Sequence, residues 1–175
     1  MIRGKFLLTG DPQSAFVYGI RKEVFADELG YGAQSIIDEH DKMSVYALVL
    51  DDDDTPSATG RLYIDGDRFR IGSVCVLKNA RGRYMGDLVM RMLLYRAQEL
   101  NCASVSLSAP VDTVSFFARY GLAPTGEVYE ENGTAYREMY ADKDEISLEG
   151  SCSKGGACGS CHGNCDACAN KECVR

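Results

Sequence analysis

Residues 73–93, SVCVLKNARGRYMGDLVMRML, contain the turn on which the reading of this 175-residue chain depends. Val74, Cys75, Val76 and Leu77 make a short apolar run of the kind a buried strand requires. From Met85 the period becomes helical: Met85, Leu88, Val89, Met92, Leu93, Ala97 and Leu100 fall on one stripe, with Asp87 in the first turn. Between strand and helix lies a loop with Arg81, Gly82, Arg83, Tyr84 and Gly86. A helix N-terminus offers unpaired N–H groups and a positive dipole end. Glycine lets backbone approach an anion closely, and guanidinium groups add charge-assisted bonds. The stretch therefore suits a phosphate-bearing ligand, although it lacks the Gly-Lys-Ser/Thr ending of a nucleoside-triphosphate loop.

Upstream, KFLLTG (5–10) reads as a strand. SAFVYGIRKEVFADELG (14–30) reads as a helix with apolar Phe16, Val17, Ile20, Val24 and Phe25 at helical spacing, ending at Gly30. SIIDEHD (35–41) predicts a second, short helix and SVYALVL (44–50) a strand. The acidic run DDDDTP (51–56) is an exposed turn, since four carboxylates before a proline do not bury. ATGRLYI (58–64) and FRIGSVCVL (69–77) form a hairpin through DGD (65–67). Downstream, ASVSLSA (103–109) alternates, with Val105, Leu107 and Ala109 on one face and serines on the other. DTVSFFARYG (112–121) is a short helix, and TGEVYEENGTAYREMYA (125–141) is a hairpin through Asn132-Gly133. The order β-α-α-β-β-β-α-β-α-β-β predicts a mixed α/β (α+β) sheet domain over residues 1–141. A polar linker is expected at 142–150, followed by a cysteine-rich tail at 151–175.

The chain is 45% hydrophobic and 26% charged, an ordinary composition for a soluble globular protein. A net charge of −7 argues against nucleic acid and anionic membrane surfaces as partners, and would suit an amine substrate. No stretch approaches the roughly 20 apolar residues of a membrane span, and the N-terminal apolar run is too short for a secretory signal. A cytoplasmic location is expected, where thiols stay reduced.

The loop after the fourth strand resembles the acyl-CoA pyrophosphate loop of the GNAT superfamily of N-acyltransferases, Gln/Arg-x-x-Gly-x-Gly/Ala. Arg81 and Gly86 fit it, while Tyr84 occupies the first glycine position. The resemblance extends over roughly residues 2–140. RKEVFADELG (21–30) and DEHDKMSVYALV (38–49) are similar to the first helix and second strand of the ElaA-like branch. ATGRL (58–62) and RIGSVCVLKNARG (70–82) are similar to its third and fourth strands, and FFARYGLAPTGEVYEENGTAYREM (116–139) to its closing helix and hairpin.

The resemblance implies a mostly antiparallel twisted sheet of about seven strands, strands four and five splayed, with about four flanking helices. It implies acetyl-CoA as cosubstrate and a primary amine of a small molecule or peptide as acceptor, joined by direct attack in a ternary complex. Backbone of Val74, Cys75 and Val76 would bond the pantetheine arm, a fourth-strand N–H would stabilise the oxyanion, and Arg81, Gly82, Arg83, Tyr84, Met85, Gly86 and Asp87 would hold the pyrophosphate. Asp112 falls near a CoA-arm position, or else caps its helix. Phe117 stands where many members place the tyrosine that protonates the leaving thiolate; Tyr120 is the substitute, or packing. Tyr46 and Tyr136 replace histidines of the branch. Glu28 matches an acidic residue near the substrate side and is the expected base or amine binder, its alternative being a solvated carboxylate at a helix end. Family members often dimerise, which allows a homodimer here. The substitutions at Tyr84 and Phe117 also leave room for a weakly active acyl-CoA-binding sensor. Cys75, inside an apolar strand without a sequence-neighbouring histidine, reads as a small hydrophobe rather than a nucleophile.

The tail holds Cys152, Cys158, Cys161, Cys165, Cys168 and Cys173. Its two Cys-x2-Cys pairs, Cys158/Cys161 and Cys165/Cys168, have thiolate-chelate spacing. Zinc or an iron–sulfur cluster would suit these ligands, and a flexible reduced tail or a thiol redox sensor are the alternatives.

Overall fold

The computed structural model describes residues 1–148. Seven strands form one sheet in the order β1-β2-β3-β4-β5-β7-β6. They are β1 (Arg3–Leu8), β2 (Val45–Leu50), β3 (Pro56–Asp65), β4 (Arg68–Val76), β5 (Ser104–Pro110), β6 (Ala123–Glu131) and β7 (Thr134–Asp142). Every neighbouring pair is antiparallel except β4 and β5. This is the expected mixed α/β architecture.

Helix α1 (Ser14–Arg21) runs directly into a π-helical segment, Lys22–Glu28. Helix α2 (Met85–Glu99) follows β4, and α3 (Val114–Ala118) follows β5. Local chemistry explains the turns. Asn132 and Gly133 both take positive φ, 51° and 73°, as a two-residue hairpin matching the strand twist needs. In the acidic run, the Asp51 carboxylate accepts from the Asp53 and Thr55 N–H groups and so closes the turn itself.

Three expectations are corrected. The segment 35–41 forms no α-helix; two 3₁₀ turns, Ala33–Ser35 and Glu39–Met43, take its place. The side chains of Asp38 and Asp41 cap each other's backbone in a reciprocal box, which starts the second turn at Asp38 rather than at Ser35. Helix α2 is rotated from the predicted stripe: Met90 and Leu94 are fully buried and Leu100 is largely exposed. The helix lies in a broad seat on the middle strands, so a wider face than a single stripe is covered. The start of the expected linker packs onto the domain. Ile146 is buried, the Ser147 N–H donates to the Tyr120 carbonyl at 3.0 Å, and Arg91 bonds the Leu148 carbonyl. Gly121 makes this close crossing feasible, since a Cβ there would lie 1.8 Å from the Glu145 carbonyl oxygen. The six tail cysteines expected as metal ligands, Cys152, Cys158, Cys161, Cys165, Cys168 and Cys173, lie outside the described residues.

Candidate active site

The parallel ladder between β4 and β5 contains only Phe69↔Val105 and Arg70↔Ser106, after which the strands part. A bulge marks the divergence. Arg61 faces Gly72 and Thr59 faces Cys75, so Gly60 alone on β3 opposes Ser73 and Val74 on β4. Ser73 takes φ +51°, a left-handed conformation uncommon for a residue with a side chain. Val74 in the bulge and Cys75 and Val76 beyond it, the expected pantetheine-side residues, lie on the strand that has left its partner. Cys75 is buried, and loss of solvent pushes its thiol pKa up to about 12, as its reading as a hydrophobe anticipates.

The loop from Leu77 to α2 contains two left-handed residues, Gly82 (φ +77°) and Tyr84 (φ +58°). Tyr84 thus takes a left-handed backbone that glycine adopts without strain, at the position where the resembled motif has a glycine, with its side chain well exposed. It is the N-cap of α2: its carbonyl accepts from Leu88, but no side chain caps the first turn. Met85 and Gly86 are buried there. A Cβ on Gly86 would lie 3.4 Å from Val76 and 3.7 Å from Phe116, so the end of β4, the start of α2 and α3 converge at this point. Arg83 is paired with Asp52 at 2.5 Å.

Arg81 has a different partner from an anion in solution. Its Nη1 and Nη2 donate to the two carboxylate oxygens of Glu28 at 2.8 and 2.6 Å, and its Nε donates to the Val76 carbonyl at 3.2 Å. The hydrogen bonds and charge of Arg81 hold the Glu28 carboxyl below its usual range despite a contribution from burial in the other direction. Glu28, expected as a base, is therefore a weakened proton acceptor engaged with the loop arginine, because the π-helical segment ends beside that loop.

Tyr120 is fully buried and donates its hydroxyl to Asp87 Oδ1 at 2.6 Å. Burial, reinforced by that bond and the Asp87 charge, raises its pKa. The alternative role of packing fits this placement: Tyr120 ties the end of α3 to the first turn of α2. Phe117 is buried edge-on to Phe116, with centroids 4.9 Å apart. Asp112 is exposed in the 3₁₀ turn before α3, whose N-cap carries no side-chain bond.

The other face of the sheet carries polar groups that no local motif announces. Arg21, Asp41, Arg61 and Asp38 form a chain of ion pairs: Arg21–Asp41 at 2.7 Å, Asp41–Arg61 at 3.0 Å and Arg61–Asp38 at 2.6 Å. Buried Tyr46 donates to Asp41, so this replacement for a histidine is a structural donor. Arg70 on β4 grips Glu138 on β7 at 2.6 and 3.1 Å and reaches Ser108 on β5 at 3.1 Å. Tyr31, after the π-helical segment, shares hydrogen bonds with Thr134 (2.9 Å) and Tyr136 (3.2 Å), linking the α1 side of the opening to the β6–β7 hairpin. The serine alternation in ASVSLSA was the available signal for this face; its partners come from strands far away in sequence.

Among the described residues no group of three His, Cys, Asp or Glu is placed to hold a metal ion, and no helix is long and apolar enough to cross a membrane. The sequence of this chain matches the family described as Acetyltransferase (GNAT) domain over residues 21–143. It is 27% identical over 124 residues to the uncharacterized N-acetyltransferase YjcF of Bacillus subtilis, covering 70% of this chain and 88% of that protein. Its fold is similar to that of Escherichia coli ElaA, with TM-score 0.72, 25% identity, and coverage of 81% of this chain and 100% of ElaA. An acyl-CoA N-acyltransferase from Pseudomonas aeruginosa has the same fold at TM-score 0.72 and 24% identity, with 80% of this chain and 99% of that one covered. The splayed β4–β5 pair, the bulge and the uncapped α2 loop thus lie within a matched region spanning most of the described chain, which belongs to the GNAT acetyltransferase domain family.

Proposed function

We propose that the protein is an N-acetyltransferase that passes the acetyl group of acetyl-CoA to a primary amine of a small molecule or peptide, by direct attack in a ternary complex. The observation that carries this reading is the parting of β4 and β5 after Arg70↔Ser106, with β4 leading through the loop from Leu77 to an uncapped helix N-terminus. Pantetheine lies in the gap against the backbone of Val74–Val76. The pyrophosphate takes the first-turn N–H groups of α2 with Arg81 and Arg83, and Asp112 and Phe117 border the CoA arm. The amine nitrogen, having lost a proton to solvent, bonds to the thioester carbon, and a β4 N–H stabilises the oxyanion. The nitrogen then gives up its surplus proton to solvent, the C–S bond breaks, and the CoA thiolate takes up a proton. Alignment of the reactants accounts for much of such an acceleration, which does not require a dedicated acid.

A second reading, an acyl-CoA sensor with little turnover, is favoured by one observation: Phe117 has no hydroxyl and that of Tyr120 is committed to Asp87. Binding of CoA, followed by thiol release from acetyl-CoA across an amine panel, separates the two. Turnover with any amine supports the enzyme; tight CoA binding with no turnover supports the sensor. We further propose that the cysteine pairs of the 151–175 segment bind zinc or an iron–sulfur cluster as thiolates.

A further inference from the structure

The register of the sheet defines what stands around the mouth of the β4–β5 gap on the α1 face. Residues directly opposite one another in a ladder share a face. One row reads Tyr63, Arg70, Ser106, Tyr140 across β3, β4, β5 and β7, with every neighbour paired. In the next row, Arg61 pairs with Gly72 and Ser108 with Glu138, but Gly72 and Ser108 do not pair with each other. The gap therefore opens between a residue with no side chain and the Ser108–Glu138 pair. The face is fixed independently, because a Cβ on Gly72 would meet the Tyr63 ring at 3.2 Å and Arg61 Nε at 3.4 Å. Helix α2 covers the opposite face, where a Cβ on Gly60 would strike Val89 and Leu93.

Arg70 leans from the closed row across the open one. Its fork holds Glu138, and Ser108 Oγ completes the cluster by donating to Glu138 Oε2 at 3.0 Å. The Arg70 and Glu138 side chains remain 22% and 31% exposed, so a ligand reaches both. Around them, Ser106 Oγ and Arg61 Nε are buried without a hydrogen-bond partner among the described residues. The mouth thus presents the Arg70–Glu138 ion pair, with Asp65 4.0 Å from Arg70 Nε and the Arg61 guanidinium committed to Asp38 and Asp41, amid unused polar atoms. A zwitterion has the complementary charge pair. A polyamine would place its second ammonium against Arg70, and a simple apolar amine would leave the guanidinium without an incoming partner.

We infer that the acceptor is an amino acid whose carboxylate takes over the Arg70 fork while its ammonium takes over the Glu138 carboxylate so released, the internal ion pair exchanging for the two charges of the zwitterion, with Ser106 and Ser108 as further hydrogen-bonding groups. This rests on the acyl-transfer reading above and names the substrate class of that site. The ammonium proton leaves to solvent before the nitrogen attacks the thioester carbon, so Glu138 acts by positioning.

The test is a calorimetric titration of the full chain, saturated with CoA, with the common L-amino acids and with the decarboxylated amine of each one that binds. A bound amino acid is expected to exceed its decarboxylated counterpart by about ten- to a hundredfold in affinity, the range of a hydrogen bond to a charged group. Arg70→Gln removes that preference, Arg70→Lys retains part of it, and Glu138→Gln weakens both members of the pair. CoA affinity stays unchanged in all three variants, which shows that they are folded. Equal or tighter binding of the decarboxylated amines, binding of no amino acid, or a preference that survives Arg70→Gln overturns the inference. Because binding is read without turnover, an amino acid that binds as described but is never acetylated counts against acyl transfer and leaves the amino-acid site standing.

Discussion

Arg81 and Glu28, separated by 53 positions in sequence, are joined by a two-pronged ion pair at 2.8 and 2.6 Å. In the proposed reading the same guanidinium binds the pyrophosphate, and its fork does not serve both anions at once. On that reading Glu28 competes with acyl-CoA for Arg81. Glu28→Gln is expected to tighten CoA binding about two- to fivefold, the scale of a partly exposed ion pair. Arg81→Ala weakens it. Unchanged or weaker CoA binding by Glu28→Gln in a calorimetric titration would contradict the competition.

Tyr120 tests the division between acid and tie. A positioned general acid typically contributes about 10²–10⁴ in rate. Since the Tyr120 hydroxyl is fully buried and given to Asp87, Tyr120→Phe is expected to lower kcat less than about tenfold. It should instead reduce stability by about 1.5–3 kcal/mol through the lost bond to a charged group, seen as a lower Tm. A hundredfold loss of kcat at unchanged Tm would restore the acid role.

Asp41 holds two buried guanidinium groups, those of Arg21 and Arg61. Asp41→Asn leaves them short of countercharge and is expected to cost about 3–5 kcal/mol, or a fall in Tm of about 10 °C. Burial alone would raise the Asp41 pKa, but Arg21, the Asp38 N–H and Arg61 together outweigh it, and the net shift is downward. A lowered folded pKa means the unfolded chain binds more protons, so this contribution is complete above the ordinary carboxylate range. It is lost as pH falls below about 4 through the folded pKa. Thermal melts from pH 7 to pH 3 should therefore show the wild type losing its advantage over Asp41→Asn at the acid end.

For the cysteine-rich segment, metal analysis of anaerobically purified full chain against a truncation after Gly150 is the direct comparison. Zinc or iron in the full chain and none in the truncation is the expected result. Equal content in both would sink the ligand proposal.

Much of the fold was legible because its signals are local. The helical period from Met85, the Asn132-Gly133 turn and the β5 alternation each mark an element within a few residues. The face of α2 was misread at Met90, Leu94 and Leu100 because burial depends on how wide a seat the sheet provides, which no period encodes. Ile146 and Leu148 were absorbed into a linker, since isolated apolar residues in a polar stretch carry no periodicity. The strand–loop–helix turn around Arg81 was visible as a motif. The Glu28–Arg81 and Arg70–Glu138 pairs were not, because 53 and 68 residues separate their members and only strand register and the π-helical segment bring them together.

The central claim is acetyl transfer to an amine, and it is tested most directly by mass spectrometry of the products when the full chain meets acetyl-CoA and an amine panel. The account predicts free CoA and an equal amount of amine bearing one acetyl group, with the rate saturating in both substrates. CoA that binds tightly while every amine is recovered unmodified would contradict it.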